Sequence, residues 1–568
     1  MNAERMLAHY ERIADAPDAI GRLRRFIFDL AVRGKLVPQD AKDEPAVELL
    51  RRIAKEKARL VKVGEIKADK PLAPVGDDAD FDVPPNWQWT RLGVIASYIQ
   101  RGKSPKYALA DGALVVSQKC VQWAGLDLTV AKQVTFESLA DYELVRFLRD
   151  GDLLWNSTGT GTIGRVIRLV KPPEKLVCDS HVTVVRCPEV NPEYVRTWLR
   201  SDHVYALIEG RASGSTNQVE LTAQMAINQV FPLPPLGEQH RIVAKVDELM
   251  ALCDWLEAAR AEREAARDRL SASSLARLNT PDPDTFQADA RVVLNALPAL
   301  TTRPDQIKQL RQTILNLAVR GKLVPQDAKD EPVAELLKRI EIDKNQLINK
   351  GAIRKRDELP EIADYKFAVP PKWLWCRLGS LGWTQTGTTP PKSKPDHYGD
   401  FVPFIKPGDI YSNYVDYGNE GLSEQGVAES GRIAGPGSIL MVCIGTIGKC
   451  QRIDRDCSFN QQINAISPFS DTDSRFLLAV FQSDLFQNAA WAVSARTTIA
   501  ILNKGNWELL AVPLPPVAEQ HRIVAKVDEL FSLCDQLEAS LNESSATRSR
   551  LLDSLLAESL EPAELVTS

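Results

Sequence analysis

The sequence predicts an α+β protein built as a tandem, pseudo-twofold repeat, with two globular mixed α/β domains separated by an antiparallel pair of long coiled-coil helices. Three observations predict it. The run Leu30 to Pro45 (LAVRGKLVPQDAKDEP) recurs letter for letter from Leu317 to Pro332, about half a chain later. The run Glu238 to Leu249 (EQHRIVAKVDEL) recurs from Glu519 to Leu530; each copy is led in by Pro-Leu-Pro-Pro and opens a stretch with apolar residues at heptad spacing. Between these shared blocks, roughly 94–230 and 380–511, the halves barely resemble each other and are rich in short β-prone runs.

Residues 1–33 read as helix, because Ile20, Leu23, Ile27 and Leu30 recur at helical spacing, and Gly34 is placed to end it. Asp43-Glu44-Pro45 then starts a second helix, with proline in its first turn and Leu49, Leu50 and Ile53 on one face. A polar connector leads to Val83-Pro84-Pro85-Asn86-Trp87-Gln88-Trp89, repeated as Val369-Pro370-Pro371-Lys372-Trp373-Leu374-Trp375. Prolines bar a helix there, and tryptophans two apart suggest an extended segment with both rings on one side.

The inserts follow. Runs such as Leu114-Val115-Val116 and His181 to Val185 are separated by Gly, Asp and Pro turns. The glycine-rich stretch Asn156 to Arg165 lacks the spacing of a phosphate-binding or dinucleotide loop. Its Gly161-Thr162-Ile163-Gly164-Arg165 reappears as Gly445-Thr446-Ile447-Gly448-Lys449, so the inserts are read as one fold with different surfaces. After each insert, Ile242, Val246, Leu249, Cys253, Leu256 and Ile523, Val527, Leu530, Cys534, Leu537 step as a heptad seam, along rods of roughly 40 residues or ~60 Å. The seams are expected to pack on each other. The pattern continues to Leu541 in the second copy but meets Arg260 in the first, where the seam ends or a long side chain lies along it. Residues 277–287, with Pro281 and Pro283, form the joint between copies. The domains are thus 1–80, helical; 81–235, first insert; 236–276, central spacer helix; 277–366, linker and second helical region; 367–516, second insert; and 517–568, C-terminal spacer helix.

Composition bounds the function. With 568 residues, 44% hydrophobic and 26% charged, the chain has material for several cores of ordinary soluble character. No apolar run reaches the ~18 residues that span a bilayer, and no signal-peptide layout opens the chain, so a cytoplasmic location without membrane contact is expected. Nine cysteines without a CxxC pair suit a reducing compartment; Cys443, Cys450 and Cys457 are spaced evenly but lack a histidine cluster, and read as buried thiols rather than metal ligands. A net charge of −5 argues against coating nucleic acid by bulk charge, so any DNA binding rests on local patches. Two modules held apart by rods of fixed length make a ruler, and the duplicated frame can bind two copies of one partner. The inference is a bivalent adaptor.

The RGKLVPQD blocks, the VPPxWxWxRLG entries and the PLPPxxEQHRIVAKVDEL exits resemble, over nearly the whole chain, the specificity subunit of type I restriction-modification systems. The resemblance implies that each insert is a target-recognition domain reading one half of a bipartite, asymmetric site in double-stranded DNA, and that the helices set the gap between halves. It also implies that the shared segments hold two modification subunits, which methylate adenine, and that restriction subunits complete the nuclease. No cofactor is expected in this chain; S-adenosylmethionine, ATP and Mg are implied for the partners. Arg101 to Tyr107 with Ser117 to Cys120 resemble one recognition-domain subtype; Thr386 to Pro390 with Ile405 to Ile410 resemble another, so the half-sites should differ.

The inserts offer candidate DNA contacts of two kinds. Lys103, Lys106, Lys119, Lys392, Lys394, Lys406 and Lys449 suit phosphates, which position without choosing sequence. Base reading falls to amides, hydroxyls and arginines: Asn156, Ser157 and Thr158; Ser213, Ser215, Asn217 and Gln218; Asn460, Gln461 and Gln462; Arg496, Thr497 and Thr498; with Arg165 and Thr446 of the shared glycine loops. Catalysis is not expected of the chain. Pro84-Pro85-Asn86-Trp87 lacks the preceding Asn or Asp of an adenine methyltransferase motif, no Walker loop or nuclease carboxylate set stands out, and His240 and His521 open coiled-coil helices, where capping or partner contact suits them better. A non-catalytic bivalent scaffold without DNA contact is the alternative, favoured only by the acidic balance.

Overall fold

A computed structural model describes residues 10–68, 70–76, 78–108, 112–159, 161–210, 220–279, 284–355, 358–362, 366–469, 471–496 and 499–560. The chain folds as two compact units, residues 1–263 with 545–568, and residues 264–544.

In the first unit a helical turn at Tyr10–Ile13 is followed by a separate helix, Ala19–Val32. Of the helix expected over 1–33, residues 1–9 lie outside the described ones, and the rest is broken between Ile13 and Ala19. Pro17 interrupts the pattern, and Asp18 takes a left-handed φ of 52°. Gly34, at φ +68°, ends it as expected: the Lys35 N–H reaches back to the Leu30 carbonyl at 2.9 Å. The second helix is Ala46–Lys62; Pro45 flanks it instead of entering its first turn, and Leu49 and Ile53 are buried while Leu50 is only half-buried.

Each insert is closed at its base by its own flanks. Gln88–Arg91 pairs antiparallel with Val230–Leu233, starting at Gln88↔Leu233, and Leu374–Arg377 pairs with Ala511–Leu514, starting at Leu374↔Leu514. Inside the first insert one antiparallel sheet runs Tyr98–Arg101, Val182–Arg186, Leu153–Asn156, Val166–Arg168; in the second the same order is Gly382–Thr386, Ile463–Pro468, Ile439–Val442, Cys450–Arg452. A second sheet in each contains one parallel pair, Val177–Cys178 on Ala113–Val116 and Cys457–Phe459 on Tyr398–Ile405. Divergent sequences therefore reach the same first sheet and the same parallel pair, as the shared glycine loop suggests, while the second sheets differ at their edges: Tyr107–Ala108 adds beside Lys132–Val134 in the first insert, and Ile433–Ala434 adds beside Cys457–Phe459 in the second. Cys443, Cys450 and Cys457 are buried, and burial pushes their thiols to about 12.

The repeated blocks meet in space. In the first unit Trp87 donates its indole N–H to the Glu238 carboxylate at 2.9 Å, Gln39 donates to its other oxygen at 2.5 Å, and Arg241 forks onto Asp43 at 2.7 and 3.2 Å. The second unit repeats this with Trp373 and Gln326 on Glu519, at 2.9 and 2.6 Å, and Arg522 on Asp330, at 2.6 and 3.0 Å. The tryptophans do share one side. Trp87 meets Tyr194 and Trp89 meets Trp198 edge to face, one turn apart on the helix Pro192–Leu199.

The long helices are Leu236–Asn279 and Val517–Leu560, 44 residues each, or ~66 Å. The seam positions Ile242, Val246 and Cys253, with Leu249, lie in one cluster with Ile27, Ala31, Leu49 and Ile53, so this part of the seam serves the core of its own copy. Ile523, Val527, Leu530 and Cys534 do the same with Ile307, Ile314 and Leu336. Charge fixes the same contact: Arg24 pairs with Asp254 and Glu257, and Arg311 with Asp535 and Glu538. Arg260 is half-buried, and its guanidinium donates to the Ala16 carbonyl at 3.4 Å instead of standing wholly in water. The joint read at 277–287 has residues 280–283 outside the described ones, and it runs into an unanticipated helix, Phe286–Leu300. Val293 of this helix packs with Leu275 and Leu278. Among the described residues no helix is long and apolar enough to cross a membrane.

Candidate nucleic-acid interface

The glycine-rich stretch is the loop of a hairpin in both inserts, between Leu153–Asn156 and Val166–Arg168 and between Ile439–Val442 and Cys450–Arg452. Gly164 and Gly448 hold φ of +82° and +100°; a Cβ on either would also strike a neighbouring helix, at Tyr205 or at Gln487. Glycine here lets the loop turn back tightly against the domain while its tip stays exposed.

Other loops converge on this one through the same backbone bonds in both inserts. The Ser157 N–H donates to the His181 carbonyl at 2.9 Å, and the Leu221 N–H donates to the Ser157 carbonyl at 2.8 Å. Their counterparts are Cys443 N–H to Gln462 O at 2.7 Å and Leu502 N–H to Cys443 O at 2.8 Å. Gly102 and Gly387 begin a further loop, each so close to a carbonyl of the strand end opposite that a Cβ has no room. The 102–106, 117–122, 157–159, 161–165, 179–181 and 220–221 segments of the first insert thus form one edge, and 387–392, 406–414, 443–449, 460–462 and 499–502 form its equivalent in the second.

Side chains stitch the edge. Ser104 meets Ser180 at 3.0 Å, the Thr158 hydroxyl donates to the Gln118 side-chain amide oxygen at 3.1 Å and meets His181 Nδ1 at 2.7 Å, and Arg101 pairs with Glu220. In the second insert Thr389 donates to Gln461, and Lys449 donates to the Pro407 carbonyl at 3.0 Å. Arg165 reaches Gln122 at 2.6 Å and the Gly161 carbonyl at 2.8 Å.

The predicted residues divide accordingly. Lys103, Lys106, Lys119, Lys392, Lys394, Lys406, Lys449, Thr446 and Gln461 are exposed, and Thr158, Arg165 and Gln462 half-buried. Lys394 is already paired with Glu429 at 2.9 Å and Lys406 with Glu420 at 2.6 Å. Hydrogen bonds from Gln425 and Lys394 draw the Glu429 carboxyl down to about 2.

Three expected base readers are corrected. Asn156 and Ser157 are fully buried, the Asn156 amide N–H on the Gln118 backbone carbonyl at 3.0 Å and the Ser157 hydroxyl on Thr183, and Asn460 is buried with its amide closing a turn onto Gln462 at 3.1 and 3.0 Å. Short polar residues at a strand end serve the turn before they serve a ligand. Ser213, Ser215, Asn217, Gln218, Thr497 and Thr498 lie outside the described residues; the Arg496 backbone pairs with Ala500.

The edge also holds Gln118, Gln122, His181 and Thr389, which were not among the predicted site residues. The matching backbone bonds set His181 opposite Gln462, whereas the spacing of the shared glycine loops sets it opposite Ala465, so the sequence alone does not point to it. His240 and His521 lie elsewhere, each against the N-cap residue of a neighbouring helix, Asn191 at 3.0 Å and Asp473 at 3.8 Å.

A family model for the type I restriction modification DNA specificity domain matches residues 370–544. The chain is 31% identical to the type I restriction enzyme EcoAI specificity subunit of Escherichia coli, with 94% of this chain and 93% of that one covered. It is 29% identical to the EcoEI specificity subunit of the same organism over the same shares. Among solved structures, it is similar to a chain from a study of complex assembly in the type I R-M system, with 20% identity, 84% of this chain and 99% of that one covered, and a TM-score of 0.49. The HsdS subunit from Thermoanaerobacter tengcongensis gives 20%, 85%, 99% and 0.41.

Proposed function

Because the chain belongs to the family of type I restriction enzyme specificity subunits, we propose that its two inserts read the two halves of a bipartite, asymmetric DNA site. The chain is the non-catalytic, DNA-recognition component of a type I restriction-modification system. In this reading residues 81–235 and 367–516 are the recognition domains, and the loop edge of each meets the duplex. Lysines such as Lys119 and Lys449 neutralise phosphates, while Thr158, Arg165, Thr446, Gln461 and Gln462 face base edges. The repeated helical regions dock two adenine-methylating modification subunits, and restriction subunits join that assembly. S-adenosylmethionine, ATP and Mg belong to those partners, and the complex works in the cytoplasm. The 44-residue helices fix the gap between half-sites.

One observation carries the reading: the two inserts hold the same loops with the same backbone bonds but fill them with different side chains. A frame kept constant while its exposed positions change suits one kind of ligand read at two different sequences. The test replaces residues 380–511 with the insert of another specificity subunit and sequences methylated adenines in cells that carry the partner subunits. One half-site should change and the other stay. An unchanged target overturns the reading.

A further inference from the structure

Resting on that reading, we infer that the four-residue turn Tyr411-Ser412-Asn413-Tyr414 is a preformed DNA-reading finger that sets part of the second half-site. The turn leaves the loop edge after Lys406. A bridge between Ile410 and Val415 closes it, the Tyr411 N–H donates to the Tyr414 carbonyl at 2.9 Å, and the Asp416 N–H donates to the Asp409 carbonyl at 2.8 Å. The Asp409 carboxylate is itself held by the Lys406 N–H at 2.7 Å and the Asn419 amide at 2.8 Å. From the side, Gln451 donates to the Ser412 carbonyl at 3.1 Å.

All four turn residues are exposed, and the two tyrosine rings stack at 4.5 Å and 7° on its outer surface, 42% and 51% exposed. Two large rings held in water, on a turn this thoroughly pinned, gain little for the fold. A stacked pair of two-torsion side chains offers a partner broad contact with little entropy left to lose, and Ser412 and Asn413 between them carry the donors and acceptors that distinguish base edges.

The first insert builds the same turn from other residues. Val121–Gln122 pairs with Gly125–Leu126, and the Asp127 N–H donates to the Cys120 carbonyl at 2.8 Å, the counterpart of Asp416 on Asp409. Its tip is Gln122-Trp123-Ala124-Gly125, with Trp123 46% exposed. A constant hairpin with an exchanged tip, beside the glycine loop in both inserts, is the arrangement expected of a specificity determinant.

The test uses the full chain assembled with its modification subunits, and reads the methylated sequence and rate on DNA. Asn413→Ala and the replacement of residues 411–414 by Gln-Trp-Ala-Gly should relax or change one or two positions of the second half-site, lower methylation of the original site at least about tenfold, and leave the first half-site intact. Tyr411→Phe with Tyr414→Phe keeps the stack and should retain assembly and the parent's melting temperature, which separates a misfolded insert from a lost base contact. If Asn413→Ala and the 411–414 replacement assemble and methylate the original site as before, the finger is wrong. An insert exchange that moves a half-site while the finger variants do not overturns the finger alone, whereas failure of the insert exchange removes the reading beneath it.

Discussion

The Trp87 indole N–H and the buried Glu238 carboxylate lie 2.9 Å apart, and Trp373 and Glu519 hold the same relationship in the other copy. With Gln39 and Gln326 on the remaining oxygens, each carboxylate ties together a helix-ending block, an insert entry and the start of a long helix. Three distant segments must present complementary groups at one buried point, so a change in any of them leaves a polar group unpaired. Trp373→Phe should therefore destabilise the protein by about 1–3 kcal/mol, the cost of an unmet buried acceptor. Urea unfolding of the purified chain checks it, and a variant as stable as the parent contradicts it.

The same carboxylates make stability depend on pH. Burial pushes Glu238 and Glu519 above their ordinary value of 4.5, against the pull of the tryptophan and glutamine donors. The folded protein thus holds these protons more tightly than the unfolded chain. Their contribution is full below the unfolded value and is lost as pH rises through the folded one. The stability of the parent relative to Glu238→Gln with Glu519→Gln should fall from pH 4.5 toward neutrality. A difference that rises with pH over that window rejects the assignment.

Gly321 sits at φ +66°, and a Cβ on it would lie 2.5 Å from the Pro370 ring. Gly34 stands in the same relation to Pro84. Alanine at either position meets both a left-handed backbone and a wall, so Gly321→Ala should cost about 1–3 kcal/mol or more. An alanine at Gly351, also left-handed at φ +71° but with open space around it, should cost less. Equal melting temperatures for the two variants would show that the wall has no effect.

Repetition made the frame legible. Leu30–Pro45 and Glu238–Leu249 are duplicated because they meet, and their spacing shows helices, a stop at Gly34 and a rod. The break at Asp18 escaped because the apolar stripe alone does not register a left-handed residue. Phe286–Leu300 was passed over although Phe286, Ala290 and Val293 keep helical spacing, because the prolines before them read as a joint. At the candidate site, residue type located the loops but not the side chains within them. Asn156 and Gln461 look alike as polar loop residues; one caps a strand end inside the domain and the other faces water, a distinction that only the sheet register makes.

Phosphate contact and base reading separate by salt. Lys449 is exposed beside the glycine loop, with its ammonium on the Pro407 carbonyl at 3.0 Å, and it forms no salt bridge among the described residues. Lys394, by contrast, already has Glu429. Lys449→Ala should weaken binding of the assembled complex to all duplexes alike and reduce the slope of log affinity against log salt by about 1. Lys394→Ala should change the slope less, because a phosphate must first displace the carboxylate. Gln461→Ala should leave the slope unchanged and alter preference at one base position. Titrations of cognate and mismatched duplexes at several salt concentrations distinguish the three, and a Lys449→Ala slope equal to that of the parent would remove this lysine from the DNA contact.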